Sequence, residues 1–169
     1  MPFREVSLCD LPDNMFGRIG SGWMLVTAGQ KGACNTMTAS WGQMGWLWNK
    51  PVATAYIRPS RYTKEFVDRE ERFSLSFFEP GTRRNELNLL GTKSGRDGDK
   101  IAEAGLAVME LDGVAAFEEA NLVFICRKLY AQTMQGGSFL DERTDKVNYP
   151  AKDYHTMYIG EVEKVYVKE

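Results

Sequence analysis

The sequence predicts a mainly β fold, a barrel or sandwich carrying a few short helices. Seven or more segments read as strands, either rich in β-branched and aromatic residues or alternating in polarity. Turn signals separate them roughly every ten residues. Helical patterns are few and short. Periodicity alone leaves barrel and sandwich both open.

Residues 23–28 (WMLVTA) and 33–41 (ACNTMTASW) are strand-like, and Gly29-Gln30-Lys31-Gly32 between them reads as a hairpin connection. Residues 41–48 hold three of the four tryptophans, but Gly42 and Gly45 make the segment read as a loop. A strand over 52–58 follows Pro51 and is stopped by Pro59. Residues 60–69 place Tyr62, Phe66 and Val67 on one helical face, with Ser60 as the N-cap. FSLSFF at 73–78 alternates like a half-buried strand. Residues 82–90 read as a helix capped by Thr82, and 97–104 as a third helix. Strands follow at 106–111 and 121–134, the latter long enough to bend or change sheet. The polar stretch 136–152 reads as a long surface loop or meander, and a last strand spans 155–167.

Composition narrows the function. A chain of 169 residues fits about one domain, taken as 1–169. Its hydrophobic content of 43% and charged content of 26% argue against wholesale disorder. A net charge of −2 argues against a nucleic-acid surface, and no apolar run suits a spanning helix or a signal peptide. The expectation is a cytoplasmic protein with no nucleic-acid or membrane partner. Cys9, Cys34 and Cys126 form no C-x-x-C pair and no disulfide framework. His155 is the only histidine, which excludes two-histidine zinc sites, and no metal site is expected. There is no G-x-S-x-G elbow, P-loop or G-x-G-x-x-G. A self-sufficient hydrolase, kinase or Rossmann dehydrogenase is therefore disfavoured.

Three segments could carry chemistry. Asn35-Thr36-Met37-Thr38-Ala39-Ser40-Trp41 sets small polar residues in a strand beside an aromatic face. Small residues let a flat ring approach the backbone, whose N–H groups could bond it, although alternating Thr and Ser is also ordinary on a solvated strand. Arg58, Ser60, Arg61, Tyr62 and Thr63 lie where a strand gives way to a helix, so they read either as capping with surface arginines or as donors for an anion. Ser94, Arg96 and Lys100 lie in a glycine-rich stretch, weak by itself as a phosphate loop. The net charge is +3 over residues 1–100 and −5 beyond, so the basic groups collect around these segments.

In this order and spacing, NTMTASWG, YIRPSRYT, SGRDGDK and HTMYIGEV resemble the flavin reductase-like, FMN-binding split-barrel proteins, especially the flavoredoxin type. The resemblance spans about residues 23–162. It implies a homodimer of split β-barrels binding FMN non-covalently near the subunit interface. Asn35 to Trp41 would lie along the isoalloxazine and ribityl chain. Arg58, Ser60, Arg61, Tyr62 and Thr63 would meet the ribityl and phosphate, and Ser94, Arg96 and Lys100 would complete the phosphate site. His155 falls where many flavin reductases carry a G-D-H motif associated with the nicotinamide donor, and is the candidate catalytic residue. Here the local sequence is Asp153-Tyr154-His155, which keeps the motif only in part.

The implied activity is an NAD(P)H-dependent flavin reductase or related oxidoreductase passing electrons through bound FMN to a small-molecule acceptor. The alternatives are a flavoredoxin-like carrier reduced by a partner protein, and a non-catalytic flavin-binding module. His155 is also the one side chain whose ordinary pKa lies near neutrality, so it is expected to carry any pH dependence between about pH 5.5 and 7.5.

Overall fold

Side chains alternate across a strand, so the positions that are buried define which face of a sheet meets the core. The computed structural model describes residues 2–7 and 13–169; Cys9 lies outside the described residues. The strands are β1 (Phe3–Glu5), β2 (Met24–Gln30), β3 (Ala33–Ala39), β4 (Gly42–Leu47), β5 (Lys50–Ile57), β6 (Arg72–Phe77), β7 (Val108–Leu111), β8 (Val114–Phe117), β9 (Leu122–Thr133) and β10 (Thr156–Lys168). The helices are α1 (Met15–Gly17), α2 (Thr63–Arg69), α3 (Arg84–Thr92), α4 (Lys100–Ala104) and α5 (Glu142–Asn148). No helix among the described residues is long and apolar enough to cross a membrane.

One antiparallel sheet runs β3-β2-β6-β9-β10-β5-β4, with β1 added to β10. Its two ends still share one core. Met37 from β3 and Met44 from β4 join the cluster of Val26, Ala55, Phe73, Phe124 and Tyr158. The sheet therefore wraps around its own apolar face without closing, which is a split β-barrel. Between barrel and sandwich, this settles the choice left open by periodicity. The opposite face of β2 and β9 presents Leu25, Val123 and Ile125 to a second core formed with Leu87 and Leu90 of α3 and Phe117 of β8.

Several expectations are corrected. Residues 42–47 are a strand, not a loop, paired with β5 from Gly42↔Ala55 to Leu47↔Lys50. Gly42 reflects close packing there: a Cβ would lie 2.8 Å from Met24 Cε and 3.2 Å from the Thr54 carbonyl oxygen. Ser60 does not cap α2. The chain first turns through Arg61 N–H to Arg58 O (3.1 Å), and Tyr62 takes the cap position without a side-chain bond. Thr82 does not cap α3 either, because its hydroxyl bonds the Glu79 carbonyl (2.7 Å) while Arg83 holds the cap position at φ 56°. The helix expected at 97–104 is split, with a 3₁₀ turn at Gly95–Asp97 and α4 capped by Asp99. The stretch 136–152 contains α5, and the strand expected at 106–111 is half of the β7–β8 hairpin.

Gly160 on β10 marks a place where the barrel wall is packed against fully buried side chains. A Cβ there would lie 2.9 Å from Cys126 Cβ and 3.0 Å from the Phe73 ring, both fully buried. Overpacking of this kind costs about 1–3 kcal/mol. Gly160→Ala is expected to lower the urea midpoint accordingly; an unchanged midpoint would show that the wall yields there freely.

Candidate functional site

The segments singled out by sequence converge. Asn35 Nδ2 donates to Thr63 Oγ1 (2.8 Å), and both residues are buried, so β3 is tied to the start of α2. The 94–97 turn closes on the same point: a Cβ on Gly95 would lie 2.3 Å from Asn35 Oδ1 and 3.0 Å from Tyr62 Cδ1. Trp41 meets His155, with ring centroids 5.1 Å apart and planes tilted by 48°. Arg58 Nη1 donates to Asp153 (2.5 Å), binding the end of β5 to the approach to β10.

Within β3 the pleat sends neighbouring side chains opposite ways. Met37 and Ala39 enter the barrel core. Thr36 bonds Thr27 Oγ1 (2.8 Å), and Thr38 donates to the Leu87 carbonyl of α3 (2.6 Å). These four side chains are thus engaged by the protein. What the strand can offer a ligand is its backbone, because β3 ends the sheet and pairs only with β2. Ser40 and Trp41, just beyond it, are exposed.

Arg61 and Lys100 form the electrostatic centre. Arg61 Nη1 donates to the Gly91 carbonyl (2.6 Å), and Lys100 Nζ donates to the carbonyls of Leu90 (2.9 Å) and Lys93 (3.0 Å). Two cations thus sit on the carbonyl end of α3, where the helix dipole is negative. That satisfies only part of their valence. Arg61 Nη2 is buried without a hydrogen-bond partner, and an ammonium has three donors, of which Lys100 uses two. Neither residue forms an ion pair among the described residues. Lys100 is 3% exposed. Burial, reinforced by the charge of Arg61, pushes its pKa down to about 8. A buried lysine beside a half-buried arginine, with no carboxylate paired to either among the described residues and one buried donor left unpartnered, has the charge and the donors to take an anion.

The other predicted donors are turned elsewhere. The Arg58 guanidinium also donates to the Asn148 carbonyl (2.8 Å) and lies over the Tyr149 ring, so it secures the 148–153 segment. Arg96 pairs with Glu65, donates to the Ser60 carbonyl (3.3 Å) and stacks on Tyr62. Ser94 Oγ accepts from the Arg96 backbone N–H (3.2 Å), and Ser60 is exposed in its turn. None of these four places a side-chain group on the Arg61–Lys100 pair.

His155 is buried, and its Nδ1 lies 2.8 Å from the Tyr149 hydroxyl. Burial, then the nearby Arg58 charge, pushes the imidazole pKa down to about 4. The ring is therefore neutral across the window in which the sequence led us to expect its titration. Among the described residues, the side chain brought towards neutrality is Lys100. Sequence reasoning missed Tyr149, Asp153 and the α3 carbonyls, whose roles depend on tertiary contacts that leave no local pattern.

Beside Trp41 the β4–β5–β10 face carries an open apolar cavity of about 950 Å³ walled by Met44, Trp46, Tyr56, Phe139 and Tyr149. Trp46, on the unpaired edge of the sheet, is 72% exposed. Among the described residues no group of three or more His, Cys, Asp or Glu could hold a metal.

Comparison with known proteins adds to this geometry. The model of the flavin reductase like domain matches residues 16–169. An FMN-binding domain of a flavin reductases-like enzyme from Shewanella baltica aligns with 98% of this chain and 77% of its own, at 18% identity and a TM-score of 0.69. An FMN-binding protein from Thermus thermophilus aligns over 97% and 81%, at 22% identity and 0.68. Flavoredoxin from Methanosarcina acetivorans aligns over 88% and 69%, at 22% identity and 0.66. Such distant likenesses show the split-barrel fold. No curated protein matches the chain.

Proposed function

Because the chain belongs to the flavin reductase-like family, we propose that it binds FMN non-covalently and acts as an NAD(P)H-dependent flavin reductase or related oxidoreductase. The observation that carries this reading is the unpartnered buried Nη2 of Arg61 beside Lys100. The residues present fit the cofactor: that pair suits a phosphate dianion, and the free edge of β3 suits the heteroatoms of a planar ring.

Arg61 and Lys100 would hold the phosphate, with Thr63 and Asn35 fixing the wall between phosphate and ring. The backbone from Asn35 to Ser40 would bond the ring edge, and Trp41 would shield it from water. His155, neutral and braced by Tyr149, would face the electron donor. When bound, FMN supplies the redox chemistry that the side chains here do not provide. The chain's part is binding, orientation and exclusion of water.

The test is direct. The purified protein should be yellow or take up FMN, and anaerobic NADH or NADPH should bleach it. A yellow protein that neither donor reduces would instead support the flavoredoxin-like carrier; a protein that takes up no flavin would refute the reading.

We further propose a homodimer in the cytoplasm. The exposed Trp46 and Trp48 on and beside the unpaired edge of β4, together with the apolar cavity, support an interface, since Trp and Met are enriched in interface cores. Light scattering at micromolar concentration is expected to give a dimer, and Trp46→Lys a monomer. A wild-type monomer that still binds flavin would contradict this arrangement.

A further inference from the structure

The single histidine has a partner that the motifs do not contain. We propose that Tyr149 is a positioning residue for His155: its hydroxyl donates to Nδ1 and holds the neutral imidazole with its proton on Nε2. The inference builds on the proposed role of His155 but concerns an atom-level state that exists with or without a flavin.

Direction follows from competition for one proton. The Tyr149 hydroxyl lies 2.8 Å from His155 Nδ1 and 3.5 Å from Met134 Sδ. A ring nitrogen lone pair at the shorter distance is much the stronger acceptor, a thioether being a weak one. Donation to Nδ1, which leaves that nitrogen unprotonated, is therefore favoured over the reverse arrangement, in which Nδ1–H donates to the hydroxyl and the hydroxyl proton is spent on the thioether. The remaining proton of the neutral ring sits on Nε2. That nitrogen has no hydrogen-bond partner among the described residues, and it is not one of the fully sealed orphan atoms. It is a donor open to whatever occupies the space beside Trp41.

The surroundings keep the ring in this state. Tyr149 is itself fixed by Phe139 and Tyr154, whose ring centroids lie 5.7 and 4.9 Å away, and by the Arg58 guanidinium 5.1 Å from its own ring centroid. Charged groups facing the imidazole are Arg58 and Arg61, which oppose its protonation, and Asp153, which favours it but is bound to Arg58. Trp41 covers another side of the ring. His155 thus offers a hydrogen bond instead of abstracting a proton, and it would help to orient a polar group of the electron donor.

Because His155 is the only histidine, the test needs no resonance assignment. Protein labelled with ¹⁵N-histidine, with flavin removed, is examined by two-bond ¹H–¹⁵N correlation NMR from about pH 5 to about pH 8, starting about one unit above the imidazole pKa of about 4 so that the ring is neutral. The native chain should show the Nε2–H tautomer in about tenfold excess, the factor that one hydrogen bond of ordinary strength supplies. Tyr149→Phe, which keeps the ring stack, should convert this to a mixture of tautomers. With FMN restored, the same variant should bind flavin as the native chain does but be reduced more slowly by NAD(P)H. An Nδ1–H tautomer in the native chain, or an unchanged tautomer in Tyr149→Phe, would overturn the assignment. Failure to bind FMN would refute the cofactor reading and leave the tautomer result standing.

Discussion

Arg61→Ala is expected to weaken FMN binding by about ten- to a hundredfold while leaving riboflavin binding nearly unchanged. The loss of one hydrogen bond to a charged group, about 1.5–3 kcal/mol, sets that range. Arg61 Nη2 is the donor without a partner, and a phosphate is the group that riboflavin lacks. Riboflavin is the necessary control, because Arg61 also donates to the Gly91 carbonyl at the end of α3 and its removal will loosen that helix. Fluorescence titration of both ligands against both proteins separates the two effects. If FMN and riboflavin lose affinity equally, Arg61 is a helix-end brace and not a phosphate ligand.

Affinity for FMN should also fall steeply above pH 8, by up to about tenfold per unit, the limiting slope for loss of one proton. Lys100 has its pKa held at about 8 in the free protein by burial and by Arg61. A bound phosphate favours the charged ammonium and raises that value again, so binding takes up a proton wherever free Lys100 is neutral. The dependence therefore begins near the lower value and ends near the raised one, with tight binding on the acid side. Below about pH 6 the phosphate itself gains a proton and affinity should decline there too. The linked effect on the unliganded fold has the opposite sense. A lysine whose pKa is depressed by folding opposes the folded state fully below about pH 8. That opposition is relieved as pH rises towards the unfolded value of 10.5. Lys100 should thus add stability to the flavin-free protein as pH rises above about 8, read as a change in the difference between the urea midpoints of the native chain and Lys100→Met. A Lys100→Met chain should lose the fall in FMN affinity above about pH 8.

Much of the barrel could be read from residues 23–39, where alternation and the glycines give a hairpin that the structure has, with β2 meeting β3 from Met24↔Ala39 to Gln30↔Ala33. Glycine misled the reading at β4, since Gly42 answers a close contact and not a turn. The turn that matters there, Trp48-Asn49, is built from two non-glycine residues at φ 52° and 58°, and so carries no glycine signal. By contrast Asp112-Gly113, both at positive φ, is a readable hairpin signal joining β7 to β8 that the expected 106–111 strand overlooked. The α5 helix is short and polar, so its capping Asp141 stood out little within a loop-like composition.

At the site, the order of the segments pointed to Asn35, Arg61, Thr63, Lys100 and His155, which the fold gathers. It could not distinguish Arg61 from Arg58 and Arg96. All three are arginines in basic stretches, but only Arg61 retains a buried free donor, while Arg58 is taken by Asp153 and Arg96 by Glu65. That difference lies in carboxylates 95 and 31 residues away in the chain, beyond the reach of any local pattern.

The central claim is that this split barrel holds FMN by its phosphate. Equilibrium titration of the flavin-free protein with FMN and with riboflavin at neutral pH tests it most directly. The account predicts saturable binding of one FMN per chain, at least about tenfold tighter than riboflavin, as one charge-assisted contact requires. Equal affinities, or no binding of FMN at all, would contradict it.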